Sequence, residues 1–95
     1  MSGYIVAMID VKDMEQYKNY MALTPAIIEK YGGEFLTRGG QTELLEGKQP
    51  GGRMVLLKFP TYQAALDFYN SSEYQAAIKV REGAAEGTFI ALEGL

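Results

Sequence analysis

Hydrophobic positions along the chain fall into short alternating runs and longer stripes at 3–4 spacing, and their order predicts the elements. Residues 4–11 (YIVAMIDV) form a first strand. One phase carries Ile5, Ala7, Ile9 and Val11 and the other Tyr4, Val6 and Met8. A strand apolar on both faces is covered on both sides. Asp13 followed by Gln16 is a capping-box pattern that opens a helix. Its stripe is Tyr17, Tyr20, Met21, Thr24, Ile27, Ile28 and Tyr31. Pro25 interrupts the stripe, so the helix either kinks there or restarts with Thr24 as cap. Gly32-Gly33 ends it, with Gly32 free to turn left-handed.

Residues 34–38 (EFLTR) read as a second strand. Gly39-Gly40 predicts a turn or bulge, with extended structure expected to resume over Thr42–Leu45. Residues 46–52 are a loop by composition, 53–59 (RMVLLKF) a third strand, and Pro60 closes it. Thr61 caps a short helix with Tyr62, Ala65, Leu66 and Tyr69 inward. After a break at Asn70-Ser71-Ser72, Ser72 and Gln75 form a second capping box. The following helix is expected to reach about Ala85, with Tyr74, Ala77, Ile78 and Arg81 in its stripe and Gly87 ending it. Residues 88–93 (TFIALE) form the last strand. The order is β-α-β-β-α-β with a split second helix, the ferredoxin-like α+β arrangement of a four-stranded antiparallel sheet with helices on one face. The other face is too apolar to stay wet. A second copy packed sheet to sheet about a two-fold axis would cover it, so a homodimer is expected.

With 95 residues the chain is expected to be a single domain spanning 1–95. It has neither cysteine nor histidine. That excludes disulfides, thiol nucleophiles, Cys/His metal sites and a histidine general base. A net charge of −3 without any basic run argues against nucleic acid as a partner. The N-terminal apolar run stops at Asp10 and has no basic region before it, so neither a secretory signal nor a membrane span is expected. The cytoplasm is the default location.

One series of residues resembles a known family. It runs Tyr17, Lys30-Tyr31-Gly32-Gly33-Glu34-Phe35, Arg38-Gly39-Gly40 and Glu46-Gly47. It continues through Arg53, Phe59-Pro60, Ala64-Ala65, Phe68-Tyr69-Asn70-Ser71, Glu73-Tyr74 and Arg81. In this order and spacing the chain resembles the bacterial family called domain of unknown function 1330, in the dimeric α+β barrel superfamily. The resemblance implies a homodimer with a pocket between sheet and helices in each subunit. Superfamily relatives include cofactor-free quinone-forming monooxygenases, muconolactone isomerase and haem-handling enzymes. The monooxygenase and haem branches often place histidine or tryptophan in the pocket, and this chain has neither.

Candidate chemistry rests on arginines and tyrosines. The arginines are Arg38, Arg53 and Arg81. Arg81 falls on an apolar helical stripe, where a charge must pair, snorkel or meet a ligand. It is read either as a guanidinium binding a carboxylate or enolate, or as a structural ion pair with a carboxylate. Arg38, before paired glycines, is the preferred contact for a substrate anion, with a loop-fixing or interface salt bridge as the alternative. Arg53 reads as an exposed edge charge. Of seven tyrosines, Tyr17, Tyr20, Tyr31, Tyr69 and Tyr74 lie on inner helical faces. Most are expected to be core, with Tyr69 and Tyr74 beside the helix break, together with Tyr17, as pocket candidates. Asp10 is expected to begin a turn, and Glu43 and Glu46 to face solvent. There is no P-loop, no G-x-G-x-x-G and no EF-hand spacing. No cofactor and no metal are expected. Two functions compete: a cofactor-free enzyme, monooxygenase- or isomerase-like, acting on a small anionic or enolisable molecule, and a non-catalytic ligand-binding, structural or regulatory dimer. A third reading has the loop at 39–52 presented to a protein partner.

Overall fold

In the computed structural model, which describes residues 1–48 and 51–95, the chain runs β1 (Gly3–Val11), α1 (Met14–Lys30), β2 (Glu34–Arg38), β3 (Arg53–Phe59), α2 (Tyr62–Asn70), α3 (Ser72–Val80) and β4 (Ala85–Glu93). The loop expected over 46–52 lies partly outside the described residues. The strands form one antiparallel sheet in the order β2-β3-β1-β4. This is the ferredoxin-like α+β fold, and it follows from the alternation of the strands. Ile5, Ala7 and Ile9 pair with Leu57, Val55 and Arg53 on one side and with Ala91, Phe89 and Gly87 on the other. That shared face lies under the helices. Phe59, Ala65, Phe68 and Tyr74 close the core above it, each 2% exposed or less.

The opposite face carries Val6, Met8, Met54 and Leu56 half-buried, with Ile90 and Leu92 about half exposed. The expected asymmetry of the sheet is present: one apolar face is covered by helices, and the other is apolar and open within a single chain.

The boundaries depart from expectation at identifiable places. Helix α1 opens with Asp13 accepting from the Gln16 N–H, as the capping box requires, and runs unbroken through Pro25. It does not restart at Thr24. Gly32 takes φ 78 and ends it as expected. In α2 the buried residues are Ala65 and Phe68, so Tyr62, expected inward, is 37% exposed. The cap of α3 is Ser71, not Ser72: its hydroxyl oxygen accepts from the Tyr74 N–H at 3.1 Å. Gln75 instead donates to the Tyr69 carbonyl at 2.7 Å. Helix α3 stops at Val80, and β4 begins at Ala85, so Gly87 sits inside a strand rather than ending a helix. The reason is β1, which offers a full-length ladder partner out to Val11. Thr42–Leu45 is not a strand. Arg38 already pairs near the start of β3, opposite Val55, so the residues beyond it have no ladder to join.

Candidate functional site

The end of the core beneath α1 and α3 is not filled by aliphatic side chains. A cavity there has a volume of about 30 Å³, counted to the centres of waters that would occupy it. Since one water needs roughly 10–15 Å³ on that measure, it suits two or three waters or one compact small molecule. Arg38, Arg53, Tyr17, Tyr20 and Tyr74 are among its lining residues.

A β-bulge brings Arg38 there. Phe35 faces inward opposite Leu57, and strict alternation would send Arg38, three residues on, to the outer face. The register shifts between Phe35 and Thr37, leaving Leu36 as the extra residue. Arg38 is thereby turned inward opposite Val55, with its guanidinium over the Phe35 ring at 4.5 Å.

Pro25 prepares the acceptor that holds it. In an α-helix the N–H of residue 25 would donate to the carbonyl of Met21, and proline has no N–H. The Met21 carbonyl instead accepts from Arg38 Nη2 at 3.0 Å and from the Thr24 hydroxyl at 3.4 Å. The interruption that looked like a breaker in sequence is an anchor for a side chain of β2.

Arg53 occupies the space left by a glycine. A Cβ at Gly39 would lie 2.6 Å from Arg53 Nη2, and Gly39 also has φ 72. Arg53 Nη2 donates to the Arg38 carbonyl at 3.3 Å, its guanidinium lies 6.0 Å from the Tyr17 ring centre, and its Nε is buried without a partner. It is half-buried on the inner face, not an exposed edge charge as expected.

Arg81 is not on the helical stripe but caps the C-terminus of α3. It is 8% exposed, and its guanidinium lies over the rings of Tyr20 and Phe89 at 5.2 and 5.0 Å. Both rings line the cavity, so Arg81 stands one layer behind it. Its Nε is also buried without a partner. The ion pairs among the described residues are Lys12–Glu86 and Lys30–Glu73, and neither involves an arginine. The alternative in which a carboxylate neutralises Arg81 is therefore not what the fold builds.

The tyrosines add donors and no negative charge. Tyr20 and Tyr74 share a buried hydrogen bond of 2.6 Å between their hydroxyls. Burial, reinforced by Tyr74, holds the Tyr20 phenol far above its ordinary range. Burial also raises Tyr74, against the pull of the Tyr20 hydrogen bond and of Arg81. Burial raises Tyr17 too, although Arg53, Arg81 and Arg38 all pull it down. These phenols are neutral at physiological pH.

The family model described as "Domain of unknown function (DUF1330)" matches residues 2–95. The chain belongs to this family. No curated protein matches its sequence. Among solved structures, the DUF1330 chain is similar to a protein of unknown function from Rhodopseudomonas palustris, with a TM-score of 0.76, 18% identity, and 99% of this chain and 82% of that one covered. It is also similar to a dimeric ferredoxin-like protein of unknown function from Jannaschia sp. CCS1, with a TM-score of 0.72, 18% identity, and 99% and 100% covered. A third is SnoaB, a cofactor-independent oxygenase from Streptomyces nogalater, with a TM-score of 0.64, 11% identity, and 99% and 93% covered.

Of the candidate residues, the structure of this DUF1330 chain brings Arg38, Tyr17 and Tyr74 to one cavity and Arg81 against its wall. Tyr69 lies elsewhere: it lines a separate apolar cavity of about 200 Å³ between α2 and β4 with Leu66, Asn70 and Ile90. Arg53 and Tyr20 were missed as pocket residues. Arg53 shares its strand phase with Val55, Leu57 and Phe59, and that alternation was the signal for an inward arginine. Asp10 is exposed and still within β1, and Glu43 and Glu46 are exposed. Among the described residues no helix is long and apolar enough to cross a membrane, and no cluster of acidic groups is placed to hold a metal ion.

Proposed function

We propose that this DUF1330 protein binds a small organic anion in the cavity between sheet and helices. One observation carries the reading: two arginines line the cavity, a third stands behind its wall, no carboxylate lines it, and no ion pair among the described residues involves an arginine. An uncompensated buried charge costs several kcal/mol, and a ligand anion would recover part of it. Arg38 and Arg53 would contact the anion, Arg81 would support it from behind Tyr20, and Tyr17 and Tyr74 would add hydroxyl donors. No metal and no organic cofactor enter this reading.

The test is calorimetric titration with a panel of small carboxylates and enolisable keto acids, against the wild-type chain and Arg38→Gln. Binding that weakens at least about tenfold in the variant is the expected result. Equal binding by both chains would sink the proposal.

A second reading, cofactor-free catalysis on the bound anion, has one observation in its favour. The Tyr20–Tyr74 hydroxyl pair is a preorganised donor at the cavity wall, the kind of group that stabilises a developing oxyanion. The cofactor-independent oxygenase from Streptomyces nogalater has the same fold, and a fold hosts many activities.

The working form is proposed to be a cytoplasmic homodimer, with residues 1–95 acting as one domain. The open apolar sheet face supports it, and so does the dimeric neighbour from Jannaschia sp. CCS1. A native mass spectrum with its main species at twice the chain mass would agree. A monomer at micromolar concentration would leave that face without a cover.

A further inference from the structure

The charge balance of the cavity narrows the ligand beyond "a small anion", and the inference rests on the anion-binding reading above. Two cations line the space, Arg38 and Arg53, and each is held by a neutral backbone carbonyl: that of Met21 for Arg38 and that of Arg38 for Arg53. Such a bond orients a guanidinium without cancelling its charge. Arg81 adds a third positive charge behind the wall. Nothing acidic answers them among the described residues. The remaining polar lining is hydroxyl: Tyr17, Tyr20, Tyr74 and Thr24. Arg53 also keeps a buried Nε–H with nothing to donate to.

The same inventory contains no group that would remove a proton from a ligand. The chain has no histidine, and no carboxylate lines the cavity. Its phenols are held protonated by burial. An acid that is neutral in water would find donors here and no base. The ligand must therefore arrive already ionised. A ligand with one negative charge would leave one of the two lining guanidiniums uncompensated in a site walled by Phe35, Phe68 and Phe89.

We propose that the cavity is selective for a compact dianion, a short dicarboxylate or a molecule of equivalent charge and size, over a monoanion of the same shape. The small volume sets the size, since only a ligand of a few heavy atoms fits among the lining side chains without moving the walls.

The test compares malonate with malonamate, which share a skeleton and differ by one charge near neutral pH. Both are titrated into the full chain by calorimetry at matched ionic strength. Malonate is expected to bind at least about tenfold more tightly, because the second charge meets a second guanidinium in a poorly screened site. In Arg38→Gln that preference is expected to shrink severalfold as malonate weakens more than malonamate. Arg53→Gln repeats the measurement from the other cation should the first variant fold poorly. If both ligands bind wild type with similar affinity and both weaken in Arg38→Gln, the dianion preference is wrong and the anion site stands. If neither binds, the anion reading fails and this inference fails with it.

Discussion

Beneath the same helices the core has two ends of different chemistry. At the Phe59 end of β3, Phe59 is buried in a group with Ile5 and Ala65 that holds no polar side chain, and its ring lies tilted against Phe68, 5.2 Å between centres, where Phe68 and Leu57 form the boundary with the cavity. At the Arg53 end, six residues earlier on the same strand, guanidiniums and phenol hydroxyls occupy positions that an aliphatic core would fill. The first arrangement is what stabilises a chain of this size. The second is unfavourable for stability on its own, since burying charge costs more than packing methyl groups. The difference separates the packing that folds the protein from the side chains that the proposed anion site would use.

The largest effect is expected at the apolar end. Phe59→Ala removes a ring that is 0% exposed, and the loss should be about 3–5 kcal/mol in urea unfolding. Anion affinity measured on the chain that remains folded should hardly move. A large drop in affinity with intact folding would mean that the two ends are not independent.

Alkaline pH is expected to attack the other end. Tyr17, Tyr20 and Tyr74 have phenol pKa values raised by burial above the ordinary 10.0. Above that value the unfolded chain gives up these protons and the folded chain keeps them. The stabilisation is therefore complete below about pH 10 and is lost as pH rises beyond it. Unfolding midpoints should fall progressively above pH 10, and part of the phenolate absorbance should appear only with unfolding. A phenolate signal from all tyrosines while the chain stays folded would contradict the burial argument.

The smallest effect sharpens the comparison most. Pro25→Ala restores the backbone N–H of residue 25 as a donor to the Met21 carbonyl and removes a helix-interior proline, so stability should rise by about 1 kcal/mol. The regained helical bond competes with Arg38 for the Met21 carbonyl, and anion affinity should fall severalfold. A variant that is both more stable and equally tight would show that Pro25 does not position Arg38.

The sequence was informative where one interaction dominates. Strand alternation gave the sheet, and the cap at Asp13 and the turn at Gly32 gave the ends of α1. The candidate site was less legible, for physical reasons that differ by residue. Arg53 was available from its phase with Val55 and Leu57, but an arginine at a strand start has solvent as its usual partner. The inward turn of Arg38 depends on the bulge at Leu36, which alternation does not predict. Pro25 was visible only as a missing donor, because the acceptor it frees is used by a residue of another element. The error at Gly87 has the same origin: its conformation is set by pairing with Ile9, a contact remote in sequence.

The bulge at Leu36 also makes position 38 a matter of parity. Any side chain can replace Leu36 and Arg38 still reaches the core, because the count of residues is unchanged. Removing Leu36 would leave Phe35, Thr37 and Arg38 in plain alternation, with Arg38 still inward opposite Val55, whereas a slip that paired Leu36 with Leu56 would put the guanidinium opposite Met54 on the other face of the sheet. A charge would then sit in the middle of the surface on which a second copy is expected to rest. A slip of one position in the ladder would thus move one residue between two compartments of the molecule, emptying the cavity of a cation and planting it in the apolar face.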